Sequence, residues 1–427
     1  MSPSRRAFLK QSGLALFSVG LASSVAPGFL HRAARAAVGP TGGGRRKVLV
    51  TIFQRGAMDA LAAVPPLEHE ALLRKLRPRL FQSAARSAGE DAVLDLGGAG
   101  FGLHPALEPL LPLWRDGTLG IVHAVGSPDP TRSHFDAQDY METGTPGRKG
   151  TSSGWLNRVA GELGHEATPF RAVSVTPALP RSLYGEQPAV ALARLEDFRL
   201  VSDGTAMAAG SADTGRGFEA LYREAANDLL RGTGGDTFEA MKVLEAVGDD
   251  RGGARAAGYP GSPLGNGLRQ IARLIRSQVG LEVAFAESGG WDTHVRQGAA
   301  SGTFAQRGRD LAQSIAAFWN DLGEHRSDVV VLTMTEFGRT VRENGSAGTD
   351  HGHASCSFLL GESVQGGRVH GPFPGLRDDE LYEGRDLAIG TDFRALFAGV
   401  AAGHLGVTDH AALFPGWDGM PLGLVRG

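Results

Sequence analysis

The stretch Thr335 to Ser355, TEFGRTVRENGSAGTDHGHAS, places Glu336, Arg339, Asp350, His351 and His353 in one connection directly after the apolar run DVVVLTM. Carboxylates and imidazoles are the side chains from which sites for divalent cations are built. Loops that leave buried strands carry chemistry of this kind, and they also carry plain solvated charge. His351 and His353 flank a glycine, so alternation along an extended chain would turn both to one side, next to Asp350. A second pair with the same spacing, Asp292 and His294 in SGGWDTH, follows the run LEVAFAE. Two further polar clusters follow apolar runs. QRGAMDAL, with Arg55 and Asp59, comes after KVLVTIF, and SPDPTRSHFDAQDYMETG, with Arg132, Ser133 and His134, comes after GIVHAVG.

Each of these residues has a plainer reading. Asp59 is placed to cap a helix starting at Ala60, and Ser133 to cap one starting at His134. A serine at a helix N-terminus is also where a nucleophile would face an anion. Arg55, Arg132 and Arg339 are either surface charge or a clamp for phosphate or sulfate. His104 precedes Pro105 at a helix start and reads as structural, and His123 lies inside a strand and reads as a core residue. The single Cys356 allows neither an intrachain disulfide nor a thiolate cluster. Any metal must be held by His, carboxylates and other oxygens, which suits one or two ions of Zn, Mn or Mg.

Positioning such groups requires a scaffold. RKVLVTIF (46–53), TLGIVHAV (118–125), FRAVSV (170–175), LEVAFAE (281–287), DVVVLTM (328–334) and CSFLLG (356–361) are short, nearly continuous apolar runs, as expected of strands buried on both faces. Helical spacing lies between several of them. HPALEPLLPLWRDG puts Leu107, Leu110, Leu111 and Trp114 on one face and ends at Gly117. RDLAQSIAAFWNDLGEH spaces Leu311, Ile315, Phe318 and Leu322 likewise. The alternation predicts an α/β domain over 46–427 with a doubly wound, mostly parallel sheet. A helical insertion is expected around 204–277 and a flexible lead-in at 37–45. In such a sheet ligands collect at the carboxyl ends of the strands, where all four polar clusters would converge.

The N-terminus reads as an address. Arg5 and Arg6 stand in SRRAFLK, a moderately apolar stretch runs from Leu14 to Leu30, and Ala34-Arg35-Ala36 offers a small-x-small cleavage site. This is the order of a twin-arginine export signal over residues 1–36, implying passage through the Tat translocase to the periplasm or beyond. The apolar stretch is too short and too polar for a stable transmembrane anchor. A net charge of −3 gives no basic footprint, so nucleic acid is not an expected partner. No Gly-x-Gly-x-x-Gly follows a strand and no haem motif is present, which argues against an oxidoreductase.

Taken together, SRRAFLK, RGAMDALAAVP, TRSHFDAQDYME, GGWDTH, TEFGRT, ENGSAGTDHG and GGRVHG closely resemble the bacterial exported family known as domain of unknown function 1501. That family is in turn similar to the alkaline phosphatase and sulfatase superfamily, whose members hold one or two divalent metals at the strand ends. The more distant resemblance implies an alkaline-phosphatase-like fold. It puts Asp59 at the position of a carboxylate ligand and Ser133 at that of the nucleophile. Asp292 and His294 match a ligand pair that is more widely spaced in the superfamily. GTDHGHAS looks like a later stretch whose histidine, here His351, is a ligand. Where the superfamily has Asp-His after a strand, this chain has Glu336-Phe337, and Phe cannot ligate. One metal site is therefore either absent or remade with His134 or His353. The resemblance implies a metal-dependent hydrolase of a small anionic ester. Asp292, His294 and His351 would hold the firmer metal, Asp59 and Glu336 would add carboxylates, with Asp350 and His353 beside them, and Ser133, His134 and Arg339 would serve catalysis. The alternative is a non-catalytic exported binding or assembly protein, acting with a partner exported protein.

Overall fold

The computed structural model describes residues 45–192 and 258–426, apart from 85–88, 90, 166 and 169. The export motif and most of the expected helical insertion lie outside these residues.

The apolar runs form one nine-stranded sheet. Its strands are β1 (Val48–Arg55), β2 (Leu119–Gly126), β3 (Ala172–Ser174), β4 (Val190–Ala191), β5 (Val283–Gly289), β6 (Val329–Met334), β7 (Ser355–Leu360), β8 (Val369–His370) and β9 (Thr391–Asp392). The order is β8-β2-β7-β6-β1-β5-β3-β4, with β9 also paired to β2. β1 lies between β5 and β6, parallel to both. Only β7 runs against its neighbours, β2 and β6. The sheet is thus mostly parallel, as the sequence predicts. The two-residue strands β4, β8 and β9 carry no sequence signal and were not expected.

Among the described residues, five helices of eight or more residues cover the sheet: α1 (His134–Thr143), α2 (Trp155–Glu162), α3 (Pro263–Arg276), α4 (Thr303–Asp321) and α5 (Phe393–Leu405). Alternate residues of β1 serve opposite layers. Val48, Val50 and Ile52 join the cluster that includes Leu268, Ile271, Ile315 and Phe318 of α3 and α4. Leu49 and Phe53 join Trp155 of α2 and Phe393 and Phe397 of α5. Fully burying side chains of this size stabilises by about 1.5–3 kcal/mol each, so continuous apolar strands are what a sheet covered on both faces requires. Helix α3, the last part of the expected insertion, packs directly on the sheet. Among the described residues, no helix is long and apolar enough to cross a membrane.

The strands end at a common rim. The loops after β1, β5 and β6 and the loop before the reversed β7 all emerge there, and α1 starts from the loop after β2. Close backbone approach holds this rim together. Gly56 has φ of +113°, and a Cβ at that position would lie 2.5 Å from the Asp292 backbone N. Only glycine tolerates both conditions.

Candidate metal centre

His134 is the first residue of α1, held at the rim by the Ser133 N-cap, whose Oγ accepts a hydrogen bond from Asp136 N. Asp292 and His294 lie in the loop after β5. His351 lies before β7, and its backbone bridges to Arg339 in the loop after β6. His134, Asp292 and His351 each offer one ligand atom, all within 4.8 Å of one another. Asp292 Oδ1 is the centre of the group. It stands 3.1 Å from His294 Nε2 and 3.5 Å from both His134 Nε2 and His351 Nε2. His294 Nε2 is 2.8 Å from His351 Nε2.

The opposite nitrogens explain why this grouping differs from a chance cluster. His134 Nδ1 lies 2.8 Å from Glu336 Oε1, His294 Nδ1 lies 2.9 Å from Asp350 Oδ1, and His351 Nδ1 lies 2.7 Å from the Arg132 carbonyl oxygen. A carbonyl and two ionised carboxylates can only accept, so each Nδ1 carries the proton. In the neutral rings each Nε2 is then a bare lone pair, and all three converge on a carboxylate oxygen. Lone pairs that face one another at such distances repel unless a proton or a cation lies between them. His134 Nε2 is buried and has no hydrogen-bond partner. An imidazole fixed by an acceptor at one nitrogen and open at the other is the usual arrangement of a metal-ligating histidine. The residues therefore fit a bound divalent ion.

The electrostatics agree with this arrangement. Burial alone would raise the pKa of Asp292, but the hydrogen bond and charge of Arg339 outweigh it and hold the carboxyl below its ordinary range. Glu336 is fully buried, yet hydrogen bonds from His134, Gln138 and the Gly56 N–H keep it ionised and its pKa low. The hydrogen bond to Glu336 in turn raises the pKa of His134. His351 is pushed down, first by burial. Asp350 is held low by Asn344 and His294.

Several residues read from the sequence lie elsewhere or do other work. Asp59 is buried, caps the short helix Ala60–Ala63 and pairs with Arg77 at 2.9 Å, with Gln297 donating to the same carboxylate. The capping reading describes it, and it does not join the centre. His353 stacks on Tyr382 with ring centroids 4.2 Å apart. It does not share a side with His351, because the chain there is pinned to the loop after β6 by Gly338 N–H to His353 O and Gly352 N–H to Gly338 O, so simple alternation fails. Arg339 is wholly buried and spans four backbone carbonyls, those of Gly56, Ala57, Trp291 and Thr349, besides Asp292 at 2.5 Å. Its side chain is fully buried among these acceptors, so it does not stand ready to clamp a substrate. Arg55 is taken by Glu142 and Glu287, and Arg132 by Glu383 and Asp386. Phe337 forms a wall, stacked on His134 at 4.9 Å and tilted against His351 at 5.0 Å. His104 caps the turn that starts at Pro105, and His123 is fully buried. Gln138, Arg77 and Arg385, whose guanidinium donates to His351 O, escaped sequence reasoning because their partners are distant in the chain.

No curated protein matches the chain significantly. A family model described as "Protein of unknown function (DUF1501)" matches residues 116–415, which include every residue of the centre and leave out β1 and Asp59. The chain belongs to this family of proteins of unknown function, DUF1501.

Proposed function

We propose that this protein is an exported, metal-dependent hydrolase of a phosphate or sulfate ester, with one divalent ion held by His134, Asp292, His294 and His351. The observation that carries the reading is the convergence of three imidazole Nε2 atoms on Asp292 Oδ1, each ring fixed at Nδ1 by an acceptor. The nitrogen-rich donor set favours Zn or Mn over Mg, which prefers oxygen and water. Placement at the carboxyl ends of a mostly parallel sheet is consistent with the resemblance to alkaline phosphatases and sulfatases. The twin-arginine motif supports export with the ion already bound.

A bound ion supplies Lewis-acid stabilisation of the charge that develops on the transferred group. The protein's own groups do the rest. Glu336 orients His134, Arg339 keeps Asp292 ionised, and Phe337 closes one side of the centre to water. Ser133 Oγ has no base beside it among the described residues, so the reading assigns the attack to water. Elemental analysis of protein purified from its native host, followed by a panel of phosphate and sulfate esters, tests the proposal. Asp292→Ala should abolish both metal content and turnover, and retention of both would overturn it.

A second reading has its own support: Arg339 is buried against protein acceptors and Asp59 is tied to Arg77, so two groups expected at a phosphatase site are committed to structure. A non-catalytic exported binding protein that keeps one structural ion would show metal without turnover.

A further inference from the structure

Asp59 does more than cap a helix. Its Oδ2 accepts from Arg77 Nη1 at 2.9 Å and also from Gln297 Nε2 at 2.7 Å. A carboxylate paired with an arginine only accepts, so the amide nitrogen of Gln297 faces Asp59 and the amide oxygen faces away. That oxygen accepts from two hydroxyls, Thr293 Oγ1 at 2.8 Å and Thr349 Oγ1 at 2.7 Å. Both threonines are buried, and Gln297 is buried completely. An amide taken out of water is costly unless it is hydrogen-bonded, and a satisfied buried network rigidifies what it joins.

What this network joins are two loops that carry the centre. Thr293 stands between Asp292 and His294, and Thr349 precedes Asp350 and His351. The backbones already touch, with Thr349 N–H donating to Thr293 O at 3.2 Å and Gln297 N–H to Ala347 O at 2.9 Å. Those bonds alone leave side-chain directions open. Along an extended chain alternate side chains point to opposite sides, so holding Thr293 inward turns Asp292 and His294 outward together. Thr349, bonded to the same oxygen, sets the second loop beside the first. The loops approach closely there: a Cβ at Gly348 would lie 2.3 Å from His294 O.

We infer that Gln297 is a positioning residue of the metal centre, holding the Asp292–His294 loop and the His351 loop to one another through Thr293 and Thr349. Asp59 and Arg77 fix the orientation of its amide. This role rests on the metal-binding part of the proposed function and not on the ester turned over. It gives Asp59 a part in the centre that neither ligation nor capping describes. Ligands already set at their separation leave less to be ordered when an ion binds, and affinity rises accordingly.

Zinc affinity of the metal-stripped full chain, measured by competition with a chromogenic chelator, tests this role without reference to turnover. Near-UV circular dichroism identifies the variants that fold. Gln297→Met keeps the length of the side chain and removes both polar ends, and zinc affinity should fall about tenfold. Thr293→Val and Thr349→Val keep the shape and each cut one loop from the amide oxygen, so each should also cost about tenfold. Either cut already uncouples the loops, so the double variant should be no more than about threefold weaker than the weaker single one. Threonines that each steadied only their own loop would instead multiply to about a hundredfold. Wild-type affinity in any folded one of these variants, or losses that multiply, overturns the inference and leaves the metal reading standing. A wild-type protein that takes up no divalent ion overturns both.

Discussion

Glu336→Gln isolates one contact of the centre. Glu336 Oε1 accepts from His134 Nδ1 at 2.8 Å, Gln138 Nε2 at 2.9 Å and the Gly56 N–H at 2.8 Å, while Oε2 lies 3.2 Å from Thr335 Oγ1. A glutamine amide has the same shape. Its oxygen can keep the three donors and its NH2 can donate to the threonine oxygen, so the fold should survive. What is lost is the negative charge behind His134. A hydrogen bond to a charged acceptor contributes about 1.5–3 kcal/mol and a neutral one about 0.5–1.5 kcal/mol. The difference, about 1–1.5 kcal/mol, weakens metal affinity about tenfold, at the lower end of the 10–100-fold typical for outer partners of ligating histidines. Competition with a chromogenic chelator at fixed pH measures this directly. In the metal-free protein the pKa of His134, followed by NMR of its ring protons, should fall, because its largest raising influence is removed. Unchanged zinc affinity in a folded Glu336→Gln protein would refute the argument that Glu336 acts through His134.

Arg339→Lys should destabilise the metal-free protein by about 2–5 kcal/mol, since a lysine cannot reach four carbonyls and a carboxylate at once; urea unfolding checks this, and a shift below 1 kcal/mol would mean the rim does not depend on the guanidinium. His104, His123 and His404 are buried with pKa values pushed down to about 4. The unfolded chain takes up protons at these rings from about pH 6.5 and the native protein only near 4, so stability falls as pH drops through that window, by on the order of 3 kcal/mol per ring. Denaturation midpoints between pH 7 and 4 should show the decline, and a flat profile would contradict it. Ser133→Ala should cost about 1 kcal/mol of helix-cap stability, with metal content unchanged and turnover reduced by less than about tenfold. A loss of roughly a thousandfold would instead place the attack on Ser133.

The scaffold was legible where one physical demand dominates. A strand buried on both faces must be apolar throughout, so six of the nine strands are visible as runs, whereas β4, β8 and β9 are two residues long and exist only because neighbouring strands offer them partners. Within the centre, Asp292 and His294 lie together as extended alternation predicts. His351 and His353 part company because backbone bridges to Gly338 bend the chain between them. Arg339 carries the same letter as a substrate clamp would, and its actual work, gathering carbonyls from three loops, depends on contacts up to 283 positions apart. Asp59 is similar. Its capping role is local and readable, but its ion pair with Arg77 arises from tertiary packing. The sequence offers His134 both for catalysis and as a replacement ligand without deciding between them, because Glu336, the residue that turns its Nε2 toward Asp292, is 202 positions away.

The three histidines are not anchored alike. Glu336 is sealed in the interior, whereas Asp350, which steadies His294, is 55% exposed and sits on the loop that Asn344 closes by bonding to both Asp350 and His294 O. Water and dissolved salt reach that one anchor and weaken it by screening. Loss and uptake of an ion should therefore proceed on the His294 side. Exchange rates would rise with ionic strength and respond to changes at Asn344, while the sealed side fixes how tightly the ion is held once seated.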